Sequence, residues 1–218
     1  MKYKNYIVSF AAGSSGRFIR ALLDRIIKNS EEPIPLTDKN SAHDVIIPID
    51  YNLSLEDCDV HHKDVFKYLT FLKTHSIFTS HTYPDFKLLN SNLNDVGIIL
   101  IQFDLEDCPE IMINSWTKNG VVSHPSEILI PKIKHQFNQS VYMLKRKFSL
   151  FLYNPALQED NTLILRYRNL YEKTEKSYKV LEILKEFSGA ENIPNSVIEA
   201  CDRYSAGRNI LLKQAGLR

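Results

Sequence analysis

The sequence predicts an α/β fold in which a parallel sheet is covered on both faces by helices, a three-layer arrangement. Three observations carry this reading. Apolar, β-branched runs recur at 6–11 (YIVSFA), 96–103 (VGIILIQF) and 162–167 (TLILRY), each of strand length. Between them, apolar residues repeat with the 3.6-residue period of a helix. The run at 96–103 is almost continuously apolar, as expected of a strand in the middle of a parallel sheet with both faces buried.

In chain order, the 6–11 strand gives way to a small-residue turn holding Gly13 and Gly16. From Phe18, apolar residues fall at Ile19, Leu22, Leu23, Ile26 and Ile27, the pattern of an amphipathic helix, so the chain opens as the first half of a βαβ unit. Residues 29–50 are rich in Ser, Asn, Asp and Pro and read as a long irregular connection. A helix is expected over 62–74, a short strand over Ser76–Ser80 and a helical turn or two over 84–90. After the 96–103 strand, a helix is expected over 107–118, with Pro109 in its first turn, where a missing N–H costs nothing. One long helix is expected over 126–148, ending in the basic cluster Lys145, Arg146 and Lys147, which reads as a solvated face. The 162–167 strand is followed by an amphipathic helix over 175–187 that stops at Gly189. One or two helices fill 194–212, so the chain reads as a single domain over 1–218 with a helical part from about 190.

Composition narrows the functions available. Of 218 residues, 44% are hydrophobic and 24% charged, which is ordinary globular usage and excludes disordered and fibrous classes. Lysine plus arginine total 27 against 26 acidic residues, a formal charge of +1 that builds no field for nucleic acid or a membrane surface. Any bound anion must be held by a local site. Three cysteines, Cys58, Cys108 and Cys201, form no CxxC pair, so neither a disulfide framework nor a zinc site is expected. No apolar run approaches the ~20 residues of a membrane helix, and the N-terminus reads as a strand and not as a leader. A soluble, cytoplasmic protein is expected.

The turn Gly13-Ser14-Ser15-Gly16 is the first candidate for chemistry. A glycine-rich strand-to-helix turn exposes backbone N–H groups, and the helix that follows adds its own donors and dipole, which together suit phosphate or sulfate. Arg17 and Arg20 place positive charge beside it. The motif is neither GxxxxGK[ST] nor GxGxxG, which disfavours a magnesium-dependent kinase and a dinucleotide site. A plain βα turn, with glycines only for close packing, is the competing reading. Among seven histidines, the adjacent His61 and His62 diverge on any helix, and His43, His75, His124 and His135 lack a partner at ligand spacing. His81 differs, because it ends the strand Ser76–Ser80. If that strand neighbours the first one, His81 emerges on the same edge as the glycine turn, where an imidazole suits general-base work. A turn-capping role before Pro84 is the alternative.

Three stretches then fall into one order. The opening YIVSFAAGSSGRFIRALL resembles the strand–loop–helix that binds the 5′-phosphosulfate in sulfotransferases dependent on 3′-phosphoadenosine 5′-phosphosulfate. FTSHTYPDFKLL is similar to their strand ending in Ser/Thr-His with proline soon after, and TLILRYRNLYEKTEKSYKVLEILKEFSG resembles their late strand–helix segment. The chain departs from the family in three places. The loop carries Arg17 after its second glycine instead of a cation before the Ser-Gly. Tyr167 is followed by Arg168 and Asn169 where an acidic residue is usual. The strand ending Ile101-Gln102-Phe103-Asp104 lacks the arginine expected for a 3′-phosphate, leaving Asn114, Ser115 and Lys118 on the next helix as partial substitutes.

The resemblance implies a P-loop NTPase-like sulfotransferase architecture and transfer of a sulfuryl group to a hydroxyl or amine of a small-molecule or glycan acceptor. It implies that Gly13, Ser14, Ser15, Gly16, Arg17 and Phe18 bind the co-substrate, that Arg17 balances charge on the leaving phosphate, that His81 is the base, and that no metal takes part. A catalytically inactive binding or assembly module on the same fold is the main alternative, and a P-loop nucleotide kinase a lesser one.

Overall fold

The computed structural model describes residues 2–3, 5–11, 13–34, 46–48, 76–80, 95–154, 160–170 and 175–218. Strand β1 (Asn5–Phe10) is buried along its whole length, because its apolar side chains meet protein on both faces. Helix α1 (Gly16–Lys28) turns Phe18, Ile19, Leu22, Leu23 and Ile26 inward, the stripe its periodicity predicts. It ends at Asn29, whose left-handed backbone (φ 47°) aims its N–H at the carbonyls of Arg25 and Ile26. Strands β2 (Ile46–Pro48), β3 (Ser76–Ser80), β4 (Val96–Gln102) and β5 (Thr162–Arg166) complete a five-stranded sheet of order β2-β3-β1-β4-β5. Strands β3, β1, β4 and β5 run parallel, and β2 lies antiparallel on the β3 edge.

Two crossovers leave the middle of the sheet in opposite directions. The path from β1 through α1 goes by way of the edge strand β2 to β3 on one side. The path from β4 through α2 (Cys108–Lys118) and α3 (Pro131–Lys147) goes to β5 on the other. With the right-handed connections that parallel strands require, α1 and the α2–α3 pair cover opposite faces. Helix α4 (Glu175–Ser188) then packs beside α1, and the last helix, α5 (Asn195–Gln214), also reaches α1.

The structure corrects several sequence expectations. No single helix spans 126–148: a 3₁₀ turn (Pro125–Leu129) precedes α3, which begins at Pro131, since proline fits the first turn of a helix but not its interior. Of the one or two helices expected over 194–212, the structure has one, α5, which continues through Gly207. Within the connection expected over 29–50, Ile46–Pro48 is a strand. The helices expected over 62–74 and 84–90, and Cys58, lie outside the described residues.

The N-terminal residues are tied to the end of α4. Lys2 N–H and the Tyr6 hydroxyl both donate to the Ser188 carbonyl (2.9 and 3.1 Å), and Tyr3 and Tyr6 meet edge to face. Helix α5 is fixed at its start by Glu31, whose carboxylate accepts from the amides of Asn195 (3.1 Å) and Ser196 (3.0 Å), where the helix dipole favours negative charge. No described helix is long and apolar enough to cross a membrane.

Candidate functional site

Strands β1 and β4 are neighbours whose crossovers diverge, the arrangement that in open α/β sheets makes a crevice outside the strands' carboxyl ends. That crevice is where ligands bind in such sheets. The glycine turn lies on its β1 side. Gly13 has φ +89° and sits so close to α2 that a Cβ there would fall 2.5 Å from the Ile111 carbonyl oxygen. Asn114 of α2 donates to the Gly13 carbonyl at 2.8 Å, which fixes the turn against the second crossover. Ser14 is fully buried, and both its hydroxyl and its amide donate to the Ala11 carbonyl (2.7 and 3.0 Å). Ser15 takes the left-handed conformation (φ 66°) that starts α1, and its carbonyl accepts from the amides of Phe18 and Ile19.

The six residues assigned to a co-substrate, Gly13 to Phe18, therefore do different things. The amides of Ser14 and Phe18 bond within the turn, Phe18 is buried, and Gly16 and Arg17 open the helix. The base candidate, His81, lies outside the described residues. Its strand is described: β3 pairs parallel with β1, with Ser80 level with Ser9, so β3 ends at the edge that carries the glycine turn. Of the residues on the helix after β4, Asn114 turns to the glycine loop, while Ser115 receives the Asn119 amide at 3.2 Å.

On the β4–β5 side the charges pair internally. Arg166 places Nε and Nη2 on Asp104 Oδ2 (2.8 and 2.6 Å), and its guanidinium lies 4.8 Å from the Tyr153 ring centre. Arg168 donates to the carboxylates of Asp107 and Glu106, both at 2.7 Å. The other oxygen of Asp107 accepts from the Asp104 amide at 2.8 Å, which holds the turn leading into α2. The two arginines at the end of β5 thus anchor the acidic turn after β4.

Sequence reasoning missed the contribution of α5. Tyr204 stacks on Phe18 with ring centres 4.1 Å apart and shares a hydrogen bond with the Ser15 hydroxyl, so this helix stands beside the glycine turn. Next to that contact is a cavity of about 190 Å³. Helix α2 lends Glu110 and Asn114 to its wall and the end of β5 lends Tyr167; Arg203, Tyr204, Gly207 and Arg208 come from α5. Arg208 pairs with Glu110 through two guanidinium nitrogens, and their side chains are 8% and 15% exposed, so the pair is largely but not wholly withdrawn from water. Burial, and then the charge of Glu110, pushes the Tyr167 phenol well above its ordinary range, so it stays protonated. The legible signal was spacing: Tyr204, Arg208 and Leu211 recur at i, i+4 and i+7 on one face of α5.

Among the described residues no group of three or more His, Cys, Asp or Glu could hold a metal ion. The chain matches no family model and no curated protein sequence.

Proposed function

We propose that this chain is a sulfotransferase-like protein that moves a sulfuryl group from 3′-phosphoadenosine 5′-phosphosulfate to a hydroxyl or amine of a small-molecule or glycan acceptor. The observation that carries the reading is the position of the Gly13–Gly16 turn. It opens a helix at the carboxyl edge of the sheet, on one wall of the crevice made by two diverging crossovers. The first turn of α1, at Gly16 and Arg17, turns its N–H groups and the positive end of the helix dipole to the 5′-phosphosulfate. The Arg17 guanidinium balances charge on the phosphate that leaves. His81 takes the acceptor proton as the new S–O bond forms, and the old S–O bond breaks to leave adenosine 3′,5′-bisphosphate. Such in-line transfer is served by positioning and electrostatics.

Isothermal titration with adenosine 3′,5′-bisphosphate tests the seat, and turnover tests the base. Arg17→Ala weakens the bisphosphate about tenfold or more. His81→Ala lowers turnover by about 10²–10⁴-fold and leaves bisphosphate affinity within about twofold. Unchanged turnover removes His81 from the mechanism.

One observation favours a second reading, a binding module without chemistry. Arg166 and Arg168 are held by Asp104, Glu106 and Asp107, so the rim beside the crevice presents carboxylates where a doubly charged phosphate would need cations. Absence of any heat with the bisphosphate favours this alternative.

A further inference from the structure

The cavity under α5 carries charge and shape that the glycine turn does not need. Among the described residues, three charged side chains line it: Glu110, Arg203 and Arg208. Arg208 and Glu110 neutralise one another, which leaves Arg203 as the remaining charge among the described lining residues. Arg203 is exposed at the mouth and makes no ion pair or hydrogen bond with any described residue. The walls beside it are the Tyr204 and Tyr167 rings and Leu211. At about 190 Å³ the space holds one ring and little more, since a cavity of about 150 Å³ already takes benzene.

Gly207 supplies a second, independent observation. It lies inside a 20-residue helix, where glycine is unfavourable, and it lines the cavity. Its helical backbone does not require glycine, and a Cβ built there meets no heavy atom within 4 Å, so close packing does not require it either. Arg203 and Gly207 are one turn apart on the same face. A long side chain at Gly207 would therefore stand in the opening beside Arg203, a cation with no counter-charge among the described residues.

We propose that this cavity binds a single-ring monoanion of the aryl carboxylate class, with the ring against Tyr204 and the carboxylate on Arg203. The site stands on its own residues and holds whether or not the glycine turn takes a phosphosulfate. Titration calorimetry of the full chain with benzoate, 4-hydroxybenzoate and the neutral isostere benzamide tests it. Both acids are expected to bind at least tenfold more tightly than benzamide, and Arg203→Ala is expected to remove that preference. Gly207→Leu, which places its side chain in the opening, should abolish binding. Gly207→Ala adds only a methyl group to open space and should keep both fold and binding, and far-UV circular dichroism checks the fold of each variant. Equal affinity for benzamide and the acids, unchanged binding by a folded Gly207→Leu chain, or no heat with either acid at millimolar concentration would each overturn the proposal. Bisphosphate titrated in parallel reads the glycine turn separately, so failure of one site is not mistaken for failure of the other.

Discussion

Gly16 has no room for a side chain: a Cβ there would fall 1.9 Å from the Phe10 ring. That contact lets α1 leave β1 closely enough to bring its first turn to the sheet edge. Gly16→Ala is expected to destabilise the fold by about 1–3 kcal/mol, the cost of overpacking a filled site, read as a lower urea midpoint at unchanged slope. A midpoint equal to that of the parent chain would mean the ring moves aside at no cost. Alkaline pH probes other buried groups. Burial pushes the Cys108 thiol up to about 11 and Cys201 to about 12, from an ordinary 9, and the Tyr6 phenol to about 12 from 10. Each group keeps its proton to higher pH folded than unfolded, so the folded state binds more protons in that window. Stability is therefore full below about pH 9 and declines as pH rises toward about 12. Urea midpoints at about pH 8 and about pH 11 check the sign; a midpoint that rises with pH contradicts it.

At the scale of elements, α5 depends on contacts distant in sequence. Its start is held by Glu31 and its middle by Glu110, which lies 98 residues before Arg208. Glu110→Ala removes the carboxylate that neutralises the largely shielded Arg208 and is expected to cost about 1–3 kcal/mol, while the double variant Glu110→Leu/Arg208→Met costs less than that single change. A double variant less stable than the Glu110→Ala single would show that the pair stabilises beyond its desolvation cost. This distance also explains what could be read beforehand. Strands β1, β4 and β5 were legible because continuous apolar runs have one use in a parallel sheet, and α1 because its stripe is uninterrupted. Strand β2 was hidden, since Ile46–Pro48 is three residues long and owes its state to pairing with β3. The break before Pro131 was written in the sequence as a proline inside a helical pattern. The glycine turn was legible as a motif. The shared face of Tyr204 and Arg208 was legible as spacing, but their meeting with Glu110 was not, because only the tertiary fold brings α5 and α2 together.

Over the whole molecule, the order β2-β3-β1-β4-β5 makes the crevice and the glycine turn parts of one feature. A net charge of +1 supplies no long-range attraction for an anion, so in the proposed function recognition would rest on a few groups: the first turn of α1, Arg17 and whatever faces them. The acidic turn after β4, tied to Arg166 and Arg168, limits how much negative charge that crevice can accept. The most direct test is a crystal structure of the chain grown with saturating adenosine 3′,5′-bisphosphate. The account predicts the 5′-phosphate within about 3 Å of the backbone nitrogens of Gly16 and Arg17. A nucleotide found anywhere else, or none bound, would contradict it.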